Sequence, residues 1–145
     1  MCIRDRAWIK ENTPEDSQFL VITGEPEAMC DSSAEWLPAL TERKSLSTLQ
    51  GREWILGRQF GDFIGHRSNL QSCIDKNLAC LNNQSKYFSP DINYVYISIK
   101  TPTNNCKATD ISGKTTRGLV VGLENSMNYS IQYHSEDVVI FEKIK

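Results

Sequence analysis

The sequence predicts an α/β fold: a single domain with a mixed sheet of about five strands, packed by helices and ending in a β-hairpin. Three observations predict it. Helical and strand periodicities alternate through most of the chain. The stretch Tyr94 to Ile99 sets Val95, Ile97 and Ile99 on one face and Tyr94 and Tyr96 on the other, the alternation of a strand. Near the end, Tyr129 to Tyr133 and Val138 to Phe141 flank His134-Ser135-Glu136-Asp137, which is hairpin spacing.

The remaining elements follow in order. Ala7 to Glu11 reads as the end of a helix with Trp8 and Ile9 towards a core, and Asn12-Thr13-Pro14 stops it because the residue before proline disfavours the helical region. After a turn at Pro14-Glu15-Asp16, Gln18 to Thr23 is a buried strand that Gly24 ends. Glu25 to Asp31 is a loop. Ser32-Ser33-Ala34-Glu35 has capping-box spacing, and the helix it starts is short or bent through Thr41 because Pro38 removes a hydrogen bond. Ser45 to Leu49 is a second strand.

Phe60, Phe63, Ile64, Arg67, Leu70 and Ile74 follow helical spacing, which predicts the longest helix over Arg58 to Cys73. Gly57, Gly61 and Gly65 recur every four residues, a spacing that invites close approach of another backbone on one face. Lys76 to Asn82 adds a further helical turn or two. Thr101 to Lys114 is a polar loop, and Thr116 to Ser126 a helix with Leu119, Val120 and Leu123 inward.

Composition narrows the function classes. The 145 residues suit one domain, and 39% hydrophobic with 23% charged residues are ordinary globular values. A net charge of -2 with no Lys/Arg stripe leaves no footprint for nucleic acid. No apolar run approaches the roughly 20 residues that a membrane span requires. There is no phosphate-cradling glycine loop, no G-x-S-x-G elbow and no H-E-x-x-H, and nothing local supports a Cys–His nucleophile pair. No catalytic residue, metal site or cofactor is assigned.

The first six residues, Met1-Cys2-Ile3-Arg4-Asp5-Arg6, resemble the translation of a sequencing-library adapter met at the start of proteins inferred from metagenomic assemblies. On that reading residues 1–6 are an artefact, residues 7–145 are the domain, and the protein continues upstream. Four cysteines then remain: Cys30, Cys73, Cys80 and Cys106. An even number permits two disulfides and fits an oxidising compartment. Cys73 and Cys80 are the candidate pair. One straight helix would hold them about 10 Å apart, too far to bridge, whereas a turn at Asp75-Lys76-Asn77 brings them together; buried free thiols are the other reading.

The densest chemistry lies between Glu35 and Trp54. Two Glu-Trp pairs, Glu35-Trp36 and Glu53-Trp54, bracket a short helix, Arg43 and the Gln50-Gly51 turn, and two of the three tryptophans are here. Tryptophan rings stack on sugar faces, and Arg, Glu and Gln bond hydroxyls or phosphates. Glu35, Trp36, Arg43, Gln50 and Trp54 are therefore candidate substrate-binding residues. The plainer reading puts Trp36 and Trp54 in the core and has Arg43 hold a carboxylate such as Glu35 or Asp31.

These residues resemble a family. Trp8-Ile9-Lys10-Glu11-Asn12-Thr13-Pro14-Glu15-Asp16 followed by an apolar strand is similar to the start of the soluble tail of many polytopic membrane glycosyltransferase-like proteins, just after their last membrane helix. Glu35-Trp36-Leu37-Pro38-Ala39-Leu40-Thr41 with Arg43, Ser45, Thr48, Gln50-Gly51 and Glu53-Trp54 looks like the signature of one bacterial group of them, which usually has Phe in place of Leu37. The ending from Tyr129 to Phe141 also resembles that tail. The resemblance covers nearly all of the chain from Ala7 onward. It implies a GT-C enzyme, akin to dolichyl-phosphate-mannose mannosyltransferases and distantly to oligosaccharyltransferase catalytic subunits, that moves a sugar from a polyprenyl-phosphate donor. The family's catalytic acid lies in an early extracytoplasmic loop outside this sequence, and the Trp-Asp-Tyr motif of oligosaccharyltransferases is missing, with Glu35-Trp36 in a roughly similar place. The implied location is the extracytoplasmic face of the membrane, and the implied partners are the protein's own N-terminal transmembrane domain and a glycan or polyprenyl-phosphate-linked sugar. Two rival readings stand beside it: a non-catalytic interaction or scaffold domain of a membrane protein, and a free-standing cytosolic enzyme.

Overall fold

The structure, a computed structural model, describes residues 1–99 and 117–145. Its centre is a five-stranded mixed sheet built from β1 (Gln18–Ile22), β2 (Lys44–Ser45), β3 (Tyr94–Ser98), β4 (Tyr129–His134) and β5 (Val138–Lys143), in the spatial order β2-β1-β3-β5-β4. β1 runs parallel to β2 and β3, β5 is antiparallel to β3, and β4 and β5 close the chain as a hairpin. The fold is the α/β class that the alternation of patterns predicts.

The three central strands have both faces buried, which is why they read as unbroken apolar runs rather than as an inside–outside alternation. Phe19 and Val21, Tyr94 and Tyr96, Val138 and Ile140 point to one side, where Ile9 of α1 (Ile3–Asn12) and Ala34 and Leu37 of α2 (Ser32–Thr41) cover them. Leu20 and Ile22, Val95 and Ile97, Val139 and Phe141 point to the other. There they meet Leu70 of α4 (Phe60–Gln71), Leu81 of α5 (Leu78–Ser85) and Leu119 and Leu123 of α6 (Arg117–Glu124). The result is three layers, helix–sheet–helix.

Several elements differ from their sequence reading for identifiable reasons. Ala7 to Glu11 is the end of a helix, as read, and α1 starts four residues earlier, at Ile3; Asp5 in its first turn is buried, accepting bonds from the Tyr133 hydroxyl at 2.9 Å and the Ser135 hydroxyl at 3.2 Å. β2 is shorter than Ser45 to Leu49. Past Leu46, whose N–H still donates to the Phe19 carbonyl, the Ser47 hydroxyl replaces the ladder by bonding both the N–H and the carbonyl of Val21. The longest helix, expected over Arg58 to Cys73, is present as α4 but trimmed to Phe60–Gln71, with 3-10 segments at both ends, Gly57–Gln59 and Ser72–Asp75; a short α3 (Arg52–Leu56), which Gly57 ends at φ 52°, precedes it.

The chain then turns through a 3-10 segment at Ser72–Asp75, and Asn77 caps α5 by accepting from the Cys80 N–H. That reversal brings Cys73 and Cys80 to a Cα–Cα distance of 5.5 Å, and their sulfurs are bonded. Cys30 is also disulfide-bonded, and Cys2 is a free thiol. The loop expected over Thr101 to Lys114, Cys106 within it, and the start of the following helix lie outside the described residues.

The glycine stripe does not do what its spacing suggests. A methyl group added at Gly57, Gly61 or Gly65 would meet nothing within 4 Å. Close approach occurs instead on α6, where a Cβ at Gly118 would lie 2.6 Å from the Lys76 carbonyl oxygen and one at Gly122 3.3 Å from the Leu78 Cβ. The disulfide-bonded reversal and α6 thus pack backbone against backbone.

Candidate functional site

In an open α/β sheet, ligands are usually bound beyond the carboxyl ends of the parallel strands, where the chain's connections diverge to opposite sides. In this sheet β1 connects outward to β2, and β3 lies on the other side of β1, so that region follows Ile22. Side chains from α4 fill it. Gln71 accepts from the N–H groups of Thr23 (2.8 Å) and Gly24 (3.0 Å) and donates to the Val21 carbonyl (2.9 Å). Gly24 is in the left-handed region at φ 81°, with Ile74 methyl groups just over 3 Å from where a Cβ would stand, so the turn has room for little but glycine.

Arg67 completes the plug. Its guanidinium donates to the carbonyls of Ser47 (3.2 Å), Glu25 (3.1 Å) and Pro26 (3.0 Å), and to Asp31 Oδ2 at 2.6 Å. Asp31 also accepts from the Thr23 hydroxyl and, as the N-cap of α2, from the Ala34 N–H. Burial raises the Asp31 pKa above its ordinary value, against the Ala34 bond and the Arg67 charge, which lower it. The hydrogen bonds of this buried pair go to protein groups, so the network shapes the loops at the carboxyl end.

The five candidate binding residues separate into two kinds. Glu35 and Arg43 are bonded to the protein's own backbone. Glu35 Oε1 accepts from the Leu49 N–H at 2.9 Å and Oε2 from the Gln50 N–H at 3.0 Å. It therefore grips the turn that launches α3 instead of serving as the third residue of a capping box; Asp31 does the capping. Arg43 is buried and donates to the carbonyls of Thr41, Lys10 and Thr13 and to the Thr13 hydroxyl, tying the end of α1 to the end of α2. The expectation that Arg43 pairs with Glu35 or Asp31 is overturned: Asp31 belongs to Arg67, and Arg43 meets carbonyls.

Trp36, Gln50 and Trp54 face outward. Trp36 is 60% and Trp54 86% exposed, which overturns the reading that both are core. Beside Trp54, Ile55 is 81% exposed, and neither α3 nor the 3-10 turn after it contains a buried residue. Sequence reasoning missed Arg67 and Gln71 as site-shaping residues. The only signal was their polarity on the inward face of a helix, with Phe63, Leu70 and Ile74 around them.

Two hollows lie elsewhere. One of about 530 Å³ is lined by Pro14, Asp16, Ser17, Tyr94, Glu142 and Lys143 at the opposite end of the sheet. Another of about 700 Å³ sits at the β4–β5 turn beside Tyr133, His134 and Asp137. Neither includes any of the five candidates. Among the described residues no cluster of His, Cys, Asp and Glu is arranged to hold a metal, and no helix is long and apolar enough to cross a membrane.

No protein-family model, no curated protein and no solved structure matches the chain.

Proposed function

We propose that this chain is the C-terminal extracytoplasmic domain of a polytopic membrane glycosyltransferase-like protein that uses a polyprenyl-phosphate sugar donor, and that it covers the membrane active site or assists acceptor binding. The observation that carries the reading is the division of labour in the Glu35–Trp54 segment. Glu35 and Arg43 fix its backbone, while Trp36, Gln50 and Trp54 are offered to something outside the domain. A tryptophan left mostly in water on a braced segment is costly unless a partner covers it, and aromatic side chains suit sugar faces and protein interfaces alike. The disulfide-bonded state of Cys30, Cys73 and Cys80 supports an oxidising compartment. The family resemblance of the residues from Trp8 to Asp16 and from Glu35 to Trp54 supplies the activity and the donor class.

The same exposure favours a second reading, a non-catalytic interaction domain of a membrane protein, because the two hollows described above, among the described residues, do not involve these side chains. Two measurements separate them. The reading frame upstream of Ala7 should hold several apolar segments of about 20 residues each; their absence overturns the membrane tether. In the full-length protein, Trp36→Ala and Trp54→Ala should lower sugar transfer while leaving the domain folded by circular dichroism. Unchanged transfer in both folded variants leaves the interaction domain as the answer.

A further inference from the structure

The stretch from Arg52 to Gln59 is a helical projection without a core of its own. It comprises α3 and the following 3-10 turn, five and three residues long, and contains no buried side chain. Glycines in the positive-φ region bound α3 on both sides, Gly51 at 83° and Gly57 at 52°. Yet it is firmly based. Glu35 holds the two N–H groups that precede it, the Arg52 N–H donates to the Leu49 carbonyl, and the Arg52 guanidinium lies 5.0 Å over the ring of Phe63. At its tip the chain places Trp54 and Ile55, both more than four-fifths exposed, with half-buried Leu56 beside them.

We infer that this projection inserts Trp54 and Ile55 into the interfacial layer of a lipid bilayer. The residue types fit that layer. Tryptophan is enriched at the headgroup level because its ring is apolar and its N–H polar, and an adjacent aliphatic side chain adds buried area. Exposed Arg58 follows the tip, where a long cationic side chain reaches phosphates while its stem stays with the apolar residues. Glu53 and Asp62 offset the charges of Arg52 and Arg58, so insertion is driven by apolar burial and not by attraction to anionic lipid. A second copy of the chain is the poorer occupant. A buried tryptophan hides at most roughly 250 Å², and one short projection falls well short of the about 800 Å² per partner of a stable protein interface. A bilayer demands no matching surface. The inference deepens the tethered-domain reading and rests on it for location, yet the two fail separately: the upstream reading frame decides the tether, and vesicle partition decides the projection.

The test uses the whole chain with Trp8 and Trp36 changed to Phe, leaving Trp54 as the reporter, and phosphatidylcholine vesicles with and without bromine on the acyl chains. Insertion gives a blue-shifted Trp54 emission that brominated lipid quenches, and a partition coefficient that changes little between low and high salt. In flotation of the otherwise unchanged chain, Trp54→Ser with Ile55→Ser lowers partition by at least about tenfold, whereas Arg58→Gln has a small effect. Absence of quenching in the folded protein at millimolar lipid overturns the inference. So does partition that survives the double substitution, or a dimer, seen by light scattering, that the double substitution abolishes.

Discussion

The hydroxyl of Thr48 donates to the carbonyl of Ala34, the acceptor that Pro38 leaves open within α2. A helix normally satisfies the carbonyl four residues back, and proline has no N–H with which to do so. The chain carries the proline without breaking α2 because a side chain from beyond β2 supplies the missing donor. Thr48→Val should therefore cost about 1–3 kcal/mol, the penalty for an unpaired buried carbonyl. In a Pro38→Ala background the new N–H reaches Ala34, and the same substitution should cost clearly less. Urea unfolding of the four proteins in this cycle measures the coupling, and equal costs in both backgrounds would disprove it.

The buried pair of Arg67 and Asp31 makes a second prediction. Arg67→Met leaves a buried carboxylate without its cation and should destabilise the domain by about 3–5 kcal/mol. The pH dependence has a defined sign. Burial holds the folded pKa of Asp31 above its ordinary value of 3.8, so its contribution is fully present below the unfolded value and is lost as pH rises through the folded one. The stability of the native chain relative to Asp31→Asn should accordingly fall as pH climbs from below 3.8. A difference that grows with pH in denaturant titrations would contradict this.

Arg43 braces the backbone where the end of α1 meets the end of α2. Lysine keeps the charge but cannot reproduce the planar fork that reaches the Lys10, Thr13 and Thr41 carbonyls together. Arg43→Lys should lower stability by about 2–4 kcal/mol. Any loss of function should track the fraction unfolded, read by thermal melts alongside the functional assay.

For Glu35 the effect should be local. Glu35→Ala frees the Leu49 and Gln50 amides and should cost about 1 kcal/mol, comparable to losing a helix cap. Hydrogen exchange at those two amides should accelerate while the amides of β1 and β3 stay protected. Glu35→Gln, with one acceptor oxygen in place of two, should fall between.

Two glycines with the same helical setting should respond oppositely to alanine. Gly118→Ala pushes a methyl group against the Lys76 carbonyl and should cost about 1–3 kcal/mol. Gly61→Ala meets open space on α4 and should be neutral or stabilising by up to about 1 kcal/mol. Paired thermal melts check both, and equal shifts would overturn the contrast between the two sites.

The sequence by itself determined the layers. Short runs such as Phe19 to Ile22 and Val138 to Phe141, apolar at every position and bounded by turn residues, read as strands, and the polar quartet from His134 to Asp137 between the last two strand patterns reads as a hairpin connection. Periodicity is a local property, so it survives being read from one chain. Helix geometry made the Cys73–Cys80 bond conditional on a turn between them and left buried free thiols as the other reading; the structure decided for the bond. Partner choice was not legible. Whether Arg43 or Arg67 would hold Asp31, whether Gly61 or Gly118 would meet a backbone, and whether Trp54 would be core or surface all depend on which elements become neighbours. Those contacts span tens of residues, and nothing in the spacing of a polar or small side chain records its partner. Tertiary structure decided that the segment from Glu35 to Trp54 is a braced backbone presenting its tryptophans outward: the core was already filled by β1, β3 and β5, so the projection after Gly51 had only its polar grips to hold it.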